Sequence, residues 1–290
     1  MAEAKCVWDL GATLGEGPIW DAAEQAVYFV DIKQDCVHRY TPSTGEAKTW
    51  QFERQICSVT RRSRGGFVAT TRHSFAFLDL AAGKVEEIAP VDIDNPDMRF
   101  NDAKADGRGR LWAGTMDDTE SGEKSGVLYR LDPDRSWREM DDGYGVTNGP
   151  AFAIDGKTMY HTDSPARTIY AFDVDDAGSI SNKRVFIKFS EEDGYPDGMT
   201  VDAQGYLWVA HYRGWRVSRF SPDGRLDRAF ALPVAQVTSC VFGGADLETL
   251  YVTTATQTLD EDELLGQPLA GGLFEIPTGI RGLQSAEFAG

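Results

Sequence analysis

Four oxygen-bearing side chains, far apart in the chain, recur at one place in a repeated phrase. Asp197 lies in GYPDGMTVD (194–202), Glu16 in LGEGPIWD (14–21), Asn101 in RFNDAKAD (99–106) and Asn148 in TNGPAFAID (147–155). Asp197, Glu16 and Asn101 each stand five residues before an aspartate that opens a turn, at Asp202, Asp21 and Asp106. Asn148 matches through its Asn-Gly, with two extra residues before Asp155. The second and sixth copies put Cys57 and Cys240 there. Alone, an Asp or Asn before Gly is an ordinary turn former. Glu16 is not a favoured turn residue, and it lies between two glycines where the backbone can bend sharply. Two carboxylates and two carboxamides brought together make an all-oxygen site. Such a site suits Ca²⁺, Mg²⁺ or Mn²⁺ and also accommodates Zn²⁺ or Fe²⁺. The cation would offset the repulsion between Glu16 and Asp197.

A repeat of 40–50 residues must position them. A turn followed by an aromatic-rich strand occurs six times, as AAEQAVYFVD (22–31), SRGGFVATT (63–71), DGRGRLWAGT (106–115), DGKTMYHTD (155–163), DAQGYLWVAH (202–211) and GADLETLYVTT (244–254). A second strand with its own turn follows each copy, from VHRYTPSTG (37–45) to LFEIPTG (273–279). Short Val, Ile, Tyr, Phe and Trp runs punctuated by Gly, Pro, Asp and Asn are strand–turn grammar without helical periodicity. Units of this length with several strands each predict propeller blades. A β-sandwich of similar strand density does not predict six returns of one phrase. The expected fold is all-β, a six-bladed β-propeller with a metal site in its central channel, forming a single domain over 1–290. The first strand of each blade lines that channel, so the four side chains should converge at one end of it. The rim there is expected to be exposed, so that substitution costs little folding.

Bulk properties narrow the partners. With 46 acidic against 29 basic side chains, the net charge is −17. Such a field repels phosphate backbones and anionic membranes. MAEAKCVWDL carries no apolar leader core, and no apolar run approaches a membrane span. Cys6, Cys36, Cys57 and Cys240 are scattered without a C-x-x-C pair, which argues against a disulfide framework or structural zinc and favours a reducing cytoplasm. A monomer or weak oligomer is expected.

LGEGPIW, RFNDAKAD, AGTM, TNGPAF, YPDGMTVD, LWVA, TSCVFGG and QPLAGGLFEI follow one another in this order. Together they resemble the family of gluconolactonase, senescence marker protein (regucalcin) and luciferin-regenerating enzyme, over about residues 7 to 280. The start, CVWDLGATLGEGPIW with VDIKQ after it, is most similar to bacterial aldonolactonases, those acting on pentonolactones in oxidative xylose or arabinose catabolism above all. The resemblance implies a six-bladed propeller with one catalytic divalent metal bound by Glu16, Asn148 and Asp197. It implies that Asp197 serves as, or orients, the general base. Arg99 would hydrogen-bond substrate hydroxyls, and Asn101 would contact substrate, with a water-mediated link to the metal. Some animal members place a substrate-contacting Glu shortly after AGTM. Here AGTMDDTESGEKSG puts Thr119 at that position, between Asp118 and Glu120, which become the substrate-loop candidates.

The expected function is metal-dependent hydrolysis of a sugar lactone (xylono-, arabinono- or gluconolactone) to the aldonic acid. The alternatives are a Ca²⁺-dependent phosphotriester or ester hydrolase and a non-catalytic Ca²⁺-binding propeller. His38, His73, His161 and His211 show no H-E-x-x-H spacing, and no G-x-S-x-G elbow is present. Trp112, Trp208 and Phe67 read as blade packing, while Arg213 and Trp215 in HYRGWRV follow a strand end and could shape a pocket mouth.

Overall fold

The structure is a computed structural model that describes residues 3–91 and 95–290. It begins with β1 (Lys5–Trp8), then builds sheets of four antiparallel strands in chain order. Blade 1 is β2 (Gly15–Asp21), β3 (Ala26–Asp31), β4 (Cys36–Thr41) and β5 (Glu46–Gln51). Blade 2 is β6 (Ile56–Arg61), β7 (Phe67–Thr71), β8 (Ser74–Asp79) and β9 (Lys84–Pro90). Blade 3 is β10 (Met98–Ala105), β11 (Leu111–Asp117), β12 (Gly126–Leu131) and β13 (Trp137–Tyr144). Blade 4 is β14 (Thr147–Phe152), β15 (Thr158–Asp163), β16 (Thr168–Val174) and β17 (Ile180–Lys188). Blade 5 is β18 (Tyr195–Val201), β19 (Leu207–Tyr212), β20 (Arg216–Phe220) and β21 (Leu226–Ala231). Blade 6 is β22 (Val237–Gly243), β23 (Thr249–Thr254) and β24 (Leu273–Pro277), with α1 (Glu261–Gly266) between the last two. Its outermost strand is β1, so the N-terminal segment closes the ring on the last blade. The fold is therefore the six-bladed β-propeller expected, with the innermost strands β2, β6, β10, β14, β18 and β22 adjoining one another around the channel. The closing role of β1 has no signature in so short a strand.

The repeated phrase is explained by burial. Asp106 Oδ2 accepts from Trp112 Nε1 at 2.9 Å and Arg110 Nε at 2.6 Å. Asp202 Oδ2 accepts from Trp208 Nε1 at 2.8 Å and Arg219 Nε at 2.8 Å. Their other oxygens cap the hairpin turn through Arg108 and Gln204 N–H groups, both at 2.9 Å. Each such aspartate satisfies a turn and the polar edge of a buried tryptophan, which an apolar interior demands. The indoles then pack across blade boundaries, Trp112 on Phe152 at 6.0 Å and Trp208 on Phe242 at 5.2 Å between centroids. Tyr28 meets Phe67 in the same way at 4.9 Å. Truncating either buried tryptophan to alanine would cost about 3–5 kcal/mol. The outermost strands are exposed and charged, as in EAKTWQ and KVEEIAP, which discourages edge-to-edge pairing.

The far end of the channel is crossed by the segment 281–290. Ala203 donates to Arg281 O at 2.9 Å, Phe288 N to Arg61 O at 2.9 Å and Ala289 N to Gly109 O at 3.0 Å. Phe288 is fully buried there. Blades 2, 3 and 5 are thus strapped together below the site and hold the channel geometry.

Candidate functional site

At the other end of the channel a cavity of about 600 Å³ has Glu16, Arg99, Asn101, Asn148 and Asp197 in its lining. The five residues named from sequence therefore share one cavity. They come from four blades, on β2, β10, β14 and β18. Each of these strands breaks its regular pairing at this level, between Glu16 and Ile19, Phe100 and Ala103, Asn148 and Ala151, and Pro196 and Met199. A bulge re-aims side chains that a regular strand would alternate. Glu16 and Asn148 stand just before the extra residue, whereas Asn101 and Asp197 lie within it, so the count of five residues hides a one-step difference in register. Gly149 follows Asn148 at φ +78° with Met199 Cε 3.1 Å from where a Cβ would sit, so this turn requires glycine.

The expectation of an exposed rim is corrected here. Glu16 is 5%, Asn101 4%, Asn148 3% and Asp197 6% exposed. The blades converge toward the axis, so their innermost residues cover one another and form a cavity floor.

One hydrogen-bonded chain runs across three blades. Arg99 Nη1 donates to Asn101 Oδ1 at 2.7 Å and to Phe100 O at 3.0 Å. Asn101 Nδ2 donates to Asn148 Oδ1 at 2.9 Å and Thr147 O at 2.8 Å. Asn148 Nδ2 donates to Ser164 Oγ at 2.9 Å, and Ser164 Oγ to Pro196 O at 2.7 Å. Asp197 Oδ1, by contrast, is buried with no hydrogen-bond partner among the described residues. Arg99 Nε is held by Asp118, leaving Nη2 without a partner among the described residues.

A third buried carboxylate, Asp102, joins Glu16 and Asp197. Asp102 Oδ2 accepts from Gly149 N at 2.9 Å and its Oδ1 from Ala103 N at 2.8 Å. Burial raises the Glu16 carboxyl above the usual range, and the Asp102 charge adds to it against Gly17 N–H, Arg99 and Lys104. Asp197 is raised by burial, then by Glu16 and Asp102. Asp102 is raised by burial against the pull of Lys104. Three mutually repelling buried carboxyls call for protons or a cation.

The donors at the cavity floor fit a divalent ion. Among the described residues no group of three or more His, Cys, Asp or Glu side chains is spaced to hold a metal by itself. The carboxamides are needed to complete a set, and the orphaned Asp197 Oδ1 together with the second lone pair of Asn148 Oδ1 supplies hard oxygen donors.

The substrate-loop candidates separate. Glu120 lines the cavity, with Gln257 Nε2 3.4 Å from its Oε1. Asp118 is instead the centre of an ion cluster, reached by Lys33 at 2.7 Å, Arg72 at 3.2 Å and Arg99 Nε. Half-burial works against its ionisation, but Lys33 and Arg99 outweigh this and hold its carboxyl down at about 2. Arg213 lines the cavity, whereas Trp215 is 44% exposed and is not part of the lining. His161 is buried edge-on against Tyr144, at 4.7 Å between centroids, and lies outside the cavity lining. Sequence reasoning missed Asp102 and Ser164. Asp102 was legible as the residue after Asn101 in RFND, while Ser164 sits in HTDSP with nothing local to mark it.

Comparison with known proteins agrees with this architecture. Residues 14–256 match the SMP-30/Gluconolactonase/LRE-like region. The chain is 39% identical to regucalcin of Oryctolagus cuniculus over 293 aligned positions, covering 99% of this chain and 98% of that one. It is 36% identical to YvrE of Bacillus subtilis (strain 168), a protein named for sugar lactone lactonase activity, with 97% of both chains covered. Its structure is similar to that of a luciferin-regenerating enzyme, with a TM-score of 0.92, 32% identity and complete coverage of both chains. By sequence and by fold, this chain belongs to the SMP-30/gluconolactonase/LRE-like family.

Proposed function

We propose that the protein is a divalent-metal-dependent sugar lactonase that opens an aldonolactone, with xylono-, arabinono- and gluconolactone as candidate substrates, to the aldonic acid. The observation that carries this reading is the buried, unpartnered Asp197 Oδ1 at the floor of a cavity that also holds Glu16, Asn148, Arg99 and Asn101. The names of the relatives support a lactone as the substrate class. The unpaired state of all four cysteines agrees with a cytoplasmic setting.

Glu16, Asn148 and Asp197 would hold the ion. When bound, it supplies Lewis-acid polarisation of an ester carbonyl and acidifies water. The chain's own groups do the rest. Arg99 presents the two N–H donors of Nη2 to substrate hydroxyls and fixes the ring against the cavity floor. Asn101 holds Arg99 and Asn148 in one geometry. The Asp197 carboxylate accepts the proton of the attacking water and returns it to the ring oxygen as the C–O bond breaks. Glu120 also lines the cavity, as an acceptor for a sugar hydroxyl.

The test is acid release, followed with a pH indicator, from xylono-, arabinono-, glucono- and galactonolactones. Chelator-stripped protein would be restored with Ca²⁺, Mg²⁺, Mn²⁺, Zn²⁺ or Fe²⁺, and the spontaneous rate subtracted. Acceleration that needs the ion supports the reading; no acceleration with any pair refutes it. A second reading, cation binding without turnover, is favoured by the regucalcin relatives, one structural neighbour of which is called a calcium-binding protein. The same assay separates the two, because a binder would retain the ion yet leave every lactone untouched.

A further inference from the structure

We propose that Ser164 is a positioning residue that fixes the orientation of the Asn148 amide and ties it to the strand carrying Asp197, and so governs affinity for a divalent cation. The proposal rests on the reading of Glu16, Asn148 and Asp197 as ligands.

Ser164 follows β15 at the cavity wall and is 8% exposed. Its backbone is held on both sides. Ser164 N donates to Val146 O at 3.0 Å, and Ser164 O accepts from Arg167 N at 2.8 Å. The hydroxyl is therefore delivered to one place. There it lies 2.7 Å from Pro196 O and 2.9 Å from Asn148 Nδ2.

The polarity of this contact is fixed by chemistry. A carbonyl oxygen only accepts, so the single hydroxyl proton of Ser164 is committed to Pro196. The serine oxygen must then meet Asn148 as an acceptor, and only the Nδ2 edge can face it. The other end of the chain gives the same answer independently. A guanidinium only donates, so Arg99 Nη1 faces Asn101 Oδ1, at 2.7 Å. Asn101 Nδ2 then faces Thr147 O and Asn148 Oδ1, at 2.8 and 2.9 Å. A flipped Asn148 would set amide hydrogens against those of Asn101 and oxygen against a serine with no proton left to give.

Two consequences follow for the cavity. Asn148 Oδ1 keeps one lone pair for an electrophile, and its direction is set before any ion arrives. Pro196 directly precedes Asp197, so the same hydroxyl sets the distance between the carboxamide of blade 4 and the carboxylate of blade 5. Removing the hydroxyl leaves a buried donor and a buried acceptor unpaired, and the amide is then held from the Asn101 side alone. Groups that orient a metal ligand in this way are typically worth 10–100-fold in affinity.

The experiment is calorimetric titration of chelator-stripped wild-type, Ser164→Ala and Ser164→Thr proteins with calcium chloride and with manganese chloride. Ser164→Ala is expected to bind about 10–100-fold more weakly, while Ser164→Thr, which keeps the hydroxyl, recovers most of the affinity. The unfolding temperature of stripped Ser164→Ala should fall by several degrees, with the protein still folded at the titration temperature. Wild-type affinity in Ser164→Ala overturns the proposal, as does a Ser164→Thr protein no better than Ser164→Ala. If the wild-type protein binds neither cation, the ligand reading fails and the orientation is judged separately. The side-chain amide NMR signals of Asn148, identified by their loss in Asn148→Ala, should then shift in stripped Ser164→Ala and not in Ser164→Thr. Unshifted signals in Ser164→Ala overturn the orientation itself.

Discussion

Asn101 and Asn148 meet amide to amide at 2.9 Å, joining two blades through side chains that are 4% and 3% exposed. The contact is directional, with Nδ2 of the first donating to Oδ1 of the second. It makes the geometry of the cavity floor a property of the empty fold. Arg99 ends the chain on one side and Ser164 on the other. Asp197 Oδ1 is left out, and it is the atom that an incoming ligand would have to satisfy. The floor is thus prepared at the amides and unsatisfied at the carboxylates, as expected where function is held at some cost to stability.

Asp197→Asn should reveal that cost. Burial and the charges of Glu16 and Asp102 disfavour the Asp197 carboxylate. Replacing it by a neutral isostere removes the repulsion, so the metal-free protein should unfold at a higher temperature than wild type, by a few degrees. Turnover of any lactone that the wild type hydrolyses should fall by at least about a hundredfold, since the proton acceptor is lost. An equal or lower unfolding temperature in Asp197→Asn would show that the carboxylates do not strain the empty fold.

Cation removal should act in the opposite sense. An ion that binds only the folded chain stabilises it by about 2.7 kcal/mol at a hundred times its dissociation constant. The unfolding temperature should therefore rise with added divalent salt and return to its base value with chelator. Glu16→Gln should blunt the shift. A shift of the same size in Glu16→Gln would move the ion away from this cavity.

The ring of six blades was readable because a turn followed by an aromatic-rich strand returns six times, with an aspartate serving both the turn and a tryptophan edge at Asp106 and Asp202. The convergence of Glu16, Asn101, Asn148 and Asp197 followed from that repeat. Their burial did not, because closure of the channel depends on how neighbouring blades lean together. Asp102 escaped notice because it takes the place beside Asn101 that glycine takes beside Glu16, Asn148 and Asp197, and one aspartate beside another polar residue looks like surface. Asp118 could be placed on the loop after AGTM, but its partners Lys33 and Arg72 come from other blades, and nothing local announces them.

Asp118→Asn tests whether that ion cluster serves the cavity. The carboxylate holds Nε of Arg99, a residue that lines the cavity. Losing the charge loosens Arg99 and leaves Lys33, Arg72 and Arg99 without their shared counter-ion. KM for a lactone should rise by roughly tenfold, equivalent to about 1.4 kcal/mol, with a smaller change in kcat, because the effect falls on substrate holding. An unchanged KM would mean that Asn101 and Phe100 alone suffice to hold Arg99. The same substitution should also reduce acid lability below about pH 4. A carboxyl held at about 2 contributes stability that is present above its unfolded value and lost as pH falls toward the folded one.

A second acid-labile element lies away from the cavity, in the histidines. Burial lowers His161 to about 3, with Asp141 opposing and Lys183 assisting. Burial likewise lowers His38 to about 4 against Asp31, and His211 to about 4 against the carbonyl and charge of Asp193. Neither ring nitrogen of His161 has a hydrogen-bond partner among the described residues, so this ring is buried neutral. The unfolded chain takes up a proton near pH 6.5 while the folded chain resists until about 3 or 4. Stability therefore rises with pH across that window and is lost as pH falls from about 6.5 toward 4, by on the order of 3 kcal/mol for each histidine. Denaturant unfolding at pH 4.5, 5.5, 6.5 and 7.5 would give the slope. His161→Phe keeps an aromatic ring against Tyr144 and cannot take the proton, so its slope should be shallower by about one proton's worth. A variant whose stability falls as steeply as wild type would show that His161 is protonated within the fold, and the buried neutral assignment would be wrong.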